Sequence, residues 1–116
     1  MQLQLYAKKI WLHRKPIDFR SSIDGLCSLV SEVVKQQPKD GLYLFFNRKR
    51  DKLKMLSWHK NGFVLCYKRL EKGFFNLKMN VDGVMEISAE EMSWLLAGLD
   101  WHKMREWKEL NYDKFS

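Results

Sequence analysis

The dipeptide Asn61-Gly62 stands between two β-prone runs, residues 52–60 and 63–70, and narrows what the middle of this chain can build. A two-residue hairpin loop of type I′ needs positive φ at both central positions, which Asn and Gly tolerate best. With that loop at 61–62, Lys60 pairs with Phe63, Trp58 with Leu65, Leu56 with Tyr67, Lys54 with Arg69 and Lys52 with Glu71. Side chains alternate along a strand. One hairpin face therefore carries Lys52, Lys54, Leu56, Trp58, Phe63, Leu65, Tyr67 and Arg69. The other carries Leu53, Met55, Ser57, Val64, Cys66 and Leu70, with Lys68 as a misfit, and reads as core. The first face mixes cations with aromatics, and its Lys54–Arg69 pair is repulsive unless an anion or solvent relieves it.

Further β-rich runs at 42–47 and 74–79 extend the hairpin into a meander over residues 42–79. Leu3, Leu5, Ala7 and Trp11 alternate against Gln2, Gln4 and Lys8, which predicts a first strand over residues 3–12. Phe19, Ile23, Leu26, Cys27, Val30, Val33 and Val34 then form one helical stripe over residues 18–36, with Asp18 as the expected N-cap. Gln37-Pro38-Lys39-Asp40-Gly41 ends that helix. Ser88-Ala89-Glu90-Glu91 is a capping box, and Ile87 and Met92 sit where a hydrophobic staple belongs. Met92, Leu95, Leu96 and Leu99 complete a helix over residues 89–99, with Gly98 near its end. Met104, Trp107, Leu110, Tyr112 and Phe115 predict a short docked helix in the tail.

These elements predict one α+β domain spanning residues 1–116: a mainly antiparallel sheet, made of the 42–79 meander plus an N-terminal strand, packed against two helices that cover one face. At 116 residues and 46% hydrophobic, such a domain hides roughly two-thirds of the surface its unfolded chain exposes.

Charge is distributed unevenly. Lys and Arg number 21 against 14 Asp and Glu, a net +7. Nine basic residues lie between Arg48 and Lys72, opposed only by Asp51 and Glu71. From Glu86 to Asp113 the sign reverses, with seven acids against Lys103, Arg105 and Lys108. A basic patch attracts polyanions by displacing their counterions; the same charges otherwise serve only to solvate a sheet face. Arg48, Lys49, Arg50, Lys52, Lys54, Lys68 and Arg69 are the candidate phosphate contacts, with Arg48-Lys49-Arg50-Asp51 as an exposed turn. Trp58 and Tyr67 either stack on bases or a partner, or pack beneath a helix.

Other chemistries find little support. The longest apolar runs are five residues, too short for a membrane span. Met1-Gln2-Leu3-Gln4-Leu5 lacks signal-peptide order, so a cytoplasmic location is expected. Cys27 and Cys66 lack CxxC spacing and read as buried thiols. His13, His59 and His102 fall in no ligand pattern. Asp18, Asp24 and Asp100 are the carboxylates a two-metal phosphoryl-transfer enzyme would use, but their spacing does not demand it. Neither a catalytic constellation nor a cofactor or metal site is expected.

Several blocks resemble a known family. Pro16-Ile17-Asp18-Phe19-Arg20 with Ile23-Asp24-Gly25-Leu26 looks like the opening of the small TnpB-type accessory protein of IS-sixty-six insertion sequences. Phe45-Phe46-Asn47-Arg48-Lys49-Arg50-Asp51-Lys52-Leu53-Lys54-Met55-Leu56 is similar to that family's central basic block. Asn61-Gly62-Phe63-Val64-Leu65-Cys66-Tyr67-Lys68-Arg69-Leu70-Glu71-Lys72-Gly73-Phe74 follows its hairpin block almost throughout, and Leu95-Leu96-Ala97-Gly98-Leu99-Asp100-Trp101 resembles its ending. The chain departs from the pattern at Ser21, at Ser57-Trp58-His59 and in the turn Asn47-Arg48-Lys49-Arg50. The resemblance implies a non-enzymatic accessory protein of DNA transposition, with DNA and the element's transposase as partners, and adds Arg20 to the candidate DNA contacts. The alternative is an interaction module that docks on the transposase without binding DNA. A small nuclease and an inactive relic are more remote readings.

Overall fold

The computed structural model of this chain describes residues 8–77 and 83–100, together with 103, 104 and 107. Five strands, β1 (Lys9–His13), β2 (Gly41–Phe46), β3 (Lys52–His59), β4 (Gly62–Arg69) and β5 (Val84–Ile87), form one sheet in the order β4-β3-β2-β1-β5. Helix α1 (Ile23–Leu29), prolonged by a π-helical turn at Val30–Val34, joins β1 to β2, and α2 (Ala89–Leu96) follows β5. All neighbours pair antiparallel except β1 and β2, which are parallel. The class is α+β with a mostly antiparallel sheet and two helices, as the patterning predicts.

The two helices lie on opposite faces of the sheet, not on one. A parallel pair of neighbouring strands needs a crossover that leaves the sheet and returns over one face, and α1 is that crossover. Its Leu26, Val30 and Val34 close a core with Tyr43, Phe45 and Leu56. Central β2 is buried throughout, so its other side chains need a second cover. Leu42, Leu44 and Phe46 find it in Met92 and Leu95 of α2 and in Phe75 and Leu77. Consequently Leu56, Phe63 and Leu65, on the face that mixes cations with aromatics, lie under or beside α1.

Several boundaries differ from expectation. The hairpin loop is Lys60-Asn61, with Lys60 at φ 55°, and Trp58 pairs with Phe63, Lys54 with Tyr67 and Lys52 with Arg69. This displaces the register by two residues and leaves every side chain on its expected face, because side chains alternate with period two. The Lys54–Arg69 opposition therefore does not arise. Asp18 is not the N-cap of α1. Ser22 holds that position, and Asp18 instead accepts from the Arg20 backbone N–H at 2.9 Å and ion-pairs with its guanidinium at 2.6 Å. The pre-helix turn closed by Ser21 N–H on Asp18 O delays the helix start. The π turn departs from 3.6-residue spacing, and Val33 lies 43% exposed, off the stripe.

Residues 74–77 are irregular, not strand, and the Phe75 N–H donates to Arg50 O at 2.7 Å. The expected strand positions 78 and 79, and 3–7 of the first strand, lie outside the described residues. In the tail Lys103, Met104 and Trp107 are helical, with Trp107 exposed; Leu110, Tyr112 and Phe115 are outside the described residues.

Helix α2 begins as its sequence dictates but ends at Leu96, short of the expected Leu99, which is 45% exposed. Ser88 Oγ accepts from the Glu91 N–H at 3.0 Å, and the Glu91 carboxylate accepts from the Ser88 N–H at 3.1 Å. Ile87 and Met92 are both buried across this cap. At the other end Gly98, at φ 77°, donates to Leu95 O, and Leu99 donates to Trp94 O, the two bonds of a Schellman motif. Replacing Ser88 with Ala is expected to cost about 1 kcal/mol, read as a lower denaturation midpoint with unchanged slope in urea.

Candidate nucleic-acid interface

Strand polarity decides where the charges go. β1 and β2 are parallel, so their C-terminal ends lie together, beside the first residue of β3, the last of β4 and the first of β5. The connections at this end carry Arg14, Lys15, Arg20, Arg48, Lys49, Arg50 and Lys72, and the strand termini add Lys52 and Arg69. These nine cations meet three described acids, each with a partner. Asp18 is bound to Arg20, Asp51 accepts from the Asn47 side-chain amide at 2.6 Å, and Glu71 pairs with Arg69 at 2.9 Å. The Arg20 side chain and backbone N–H hold the Asp18 carboxyl at about 2, and the Asn47 amide, chief among several causes, lowers that of Asp51. Both stay ionised at neutral pH. The opposite end mixes Lys8, Lys9, Lys39 and Lys60 with Asp40, Glu90 and Glu91.

The candidate contacts divide into two groups. Arg48 and Lys49 are exposed in the β2–β3 turn, and Arg20, Lys52 and Arg69 lie at the same end of the sheet. Arg50, Lys54 and Lys68 instead hold the fold together. Arg50, at φ 62°, donates from Nη1 to Leu77 O at 2.9 Å and lies 4.6 Å over the Phe74 ring. Lys54 Nζ donates to Phe19 O and Ser21 O at 2.7 and 2.9 Å and sits over the Phe19 ring, tying the pre-helix loop to the sheet. Lys68 Nζ donates to Leu96 O at 2.8 Å at the α2 C-terminus, where a cation complements the helix dipole.

The aromatics also separate. Tyr67 adjoins the basic end, 54% exposed, with Phe19 at 6.1 Å between ring centroids. Trp58 is half-buried toward the other end, packed edge-on against Phe63 at 4.9 Å and capped by Lys39 Nζ at 4.4 Å. Six residues of strand, about 20 Å, separate it from Lys52, so Trp58 and the arginine turn do not form one constellation. Sequence reasoning missed Arg14, Lys15 and Lys72 as members of the basic end. Only strand polarity brings Arg14 and Lys15, far away in the chain, beside the 48–50 turn.

A cleft of about 600 Å³ opens beside this end, between the loop after β1 and α1, lined among others by His13, Lys15, Ile17, Asp18, Ser21 and Leu29. His13 is 5% exposed, its ring 5.5 Å from that of Phe45, and its Nδ1 lies 2.8 Å from Lys15 O. Burial pulls its pKa below the ordinary value, so at neutral pH the ring is uncharged with Nδ1–H donating to Lys15 O. The unfolded chain then binds the extra proton first, and stability falls as pH drops below about 6.5. His13→Gln is expected to flatten that part of the midpoint-versus-pH curve.

The carboxylates do not converge. Asp24 is exposed in the first turn of α1, and Asp100 Oδ1 accepts from the Lys103 N–H. Among the described residues no three His, Cys, Asp or Glu side chains are placed to hold a metal ion. Cys27 packs partly against the α1 core, and burial raises its thiol pKa. No described helix is long and apolar enough to cross a membrane.

The family described as IS66 (IS-sixty-six) Orf2 like protein matches residues 8–106. The chain is 37% identical over 98 residues to the uncharacterized protein y4jC of Sinorhizobium fredii (strain NBRC 101917 / NGR234), covering 84% of each chain. It is 33% identical over 102 residues to the uncharacterized protein y4hO of the same strain, covering 86% of this chain and 89% of that one. No solved structure matches it. The match runs from the start of β1 through the basic end and past α2, and the chain belongs to the IS66 Orf2 like family, which places it in a transposition-associated accessory role.

Proposed function

We propose that this protein assists transposition of its insertion sequence by binding DNA through the basic end of the sheet, without catalysis of its own, in the cytoplasm and alongside the element's transposase. The carrying observation is the convergence of nine cations from five connections and strand ends at one end of the sheet, facing three acids that already have partners. Arg20, Arg48, Lys49, Lys52, Arg69 and Lys72 form the phosphate-contacting set, with Arg14 and Lys15 beside them. Arg50, Lys54 and Lys68 position that set through their bonds to Leu77, the pre-helix loop and α2. Tyr67 is the aromatic placed to meet a base or a partner side chain.

A salt-dependent anisotropy titration against the element's terminal repeat and a scrambled duplex tests this. The expected result is affinity that falls steeply with salt, because each neutralised phosphate releases counterions. Preference for the repeat adds end recognition. Absence of binding at low salt overturns the reading and leaves the basic end as a docking surface for the transposase.

A further inference from the structure

We propose that two copies of this protein associate through the outer edge of β4, each β4 pairing antiparallel with the partner's β4 about a twofold axis at Leu65. β4 is an outermost strand of the sheet, and no described strand pairs with its free edge. Two backbone bonds fix which groups that edge presents. Asn47 N–H donates to Lys52 O and Leu70 N–H to Asp51 O, both in register with the neighbouring ladders. By ladder alternation, the even-numbered residues of β4 bond to β3. The N–H and C=O groups of Phe63, Leu65, Tyr67 and Arg69 therefore point outward, a ready template for another strand.

Natural edges are usually blunted by charge, proline or a bulge. From Gly62 to Tyr67 β4 has neither charge nor proline, and its register against β3 runs unbroken from Lys52–Arg69 to His59–Gly62. Tyr67 stands exposed on it.

The edge complements itself. With the axis at Leu65, Phe63 lies opposite the partner's Tyr67 and Val64 opposite the partner's Cys66. Outward-pointing Phe63, Leu65 and Tyr67 each meet another outward-pointing residue, as hydrogen-bonded pairing requires, and exposed Tyr67 gains an aromatic cross-strand neighbour. Lys68 falls opposite the partner's Gly62 and Arg69 opposite the partner's Asn61, so no cation faces another, while Lys60 in the loop falls beside the partner's Glu71. Antiparallel pairing also sends the two basic ends to opposite ends of the assembly, where the +7 of each chain repels its partner least.

Sedimentation velocity of the full chain over a concentration series is expected to show a monomer–dimer equilibrium. Tyr67→Lys, at an exposed position, is expected to keep the circular-dichroism spectrum and lose the dimer. Register is tested separately by Val64→Cys in a Cys27→Ser background. The new thiol meets the partner's Cys66 in a non-hydrogen-bonded pair, with Cα atoms about 4.5 Å apart, within disulfide reach. Diamide takes up the two electrons and two protons of each bond, and a covalent dimer is expected on a non-reducing gel. Adding Cys66→Ser is expected to abolish it. A wild-type chain that stays monomeric at every concentration overturns the proposal, as does a dimer that survives Tyr67→Lys or a crosslink that survives Cys66→Ser. None of these outcomes depends on DNA binding.

Discussion

Replacing Phe46 with Ala is expected to remove about 3–5 kcal/mol of folding free energy. Phe46 is fully buried at the end of β2, edge-on to Phe75 at 5.4 Å, within the core roofed by α2. Its ring fills the space between the sheet and the irregular 74–77 segment, which is otherwise held by the bonds from Phe75 N–H to Arg50 O and from Arg50 to Leu77 O. Truncation leaves a cavity that rigid β2 cannot close. The loss also propagates, because Asn76 donates to Gly98 O at the end of α2. Since small domains are stable by only about 5–15 kcal/mol, the variant should unfold at markedly lower urea. Phe74→Ala is the control: its ring is 53% exposed and its loss should be several-fold milder. Equal effects would mean that the 74–77 segment does not cover the sheet.

The second large effect concerns DNA. Changing Arg48, Lys49, Arg69 and Lys72 together to Gln is expected to make the log–log salt slope less negative by about 1 for each phosphate no longer neutralised, about 4 in all. Affinity should fall by one to three orders of magnitude at low salt, about equally on the terminal repeat and a scrambled duplex. All four side chains are exposed, so the urea midpoint should hold. Neutralising Lys8, Lys9, Lys39 and Lys60 at the other end should leave the slope unchanged. Arg50→Gln and Lys54→Met are expected to do the reverse, lowering stability because the bonds to Leu77, Phe19 and Ser21 are removed. An unchanged slope in the fourfold variant would remove the basic end from the DNA interface.

The candidate site is only half legible in the sequence. Arg48, Lys49 and Arg50 announce themselves as a run of charge, yet one of the three is occupied within the fold. Lys54 and Lys68 carry the same formal charge as Lys49 and are similarly committed, because backbone carbonyls of a distant loop and of α2 lie within their reach. Trp58 and Tyr67 share a hairpin face but not a place on it. Such differences depend on what approaches a side chain from elsewhere in the chain, and periodicity carries no information about that.

Local grammar alone determined the α2 cap, the existence of the hairpin, the amphipathic stripe of α1 and the α+β class. Each depends on residues within a few positions of one another: Ser88 with Glu91, Asn61 and Gly62 with their flanking strands, Leu26 with Val30 and Val34. The division of hairpin side chains between faces also survived a two-residue error in register, since alternation repeats every two residues. Tertiary structure alone decided that β1 runs parallel to β2, that the helices cover opposite faces, that β5 and not residues 74–77 adds a strand to the sheet, and that Arg14 and Lys15 join the 48–50 turn. These are questions of which partner a surface finds, and several partners satisfy the same apolar pattern. Close packing of all of them at once, with β2 buried on both sides, selects one.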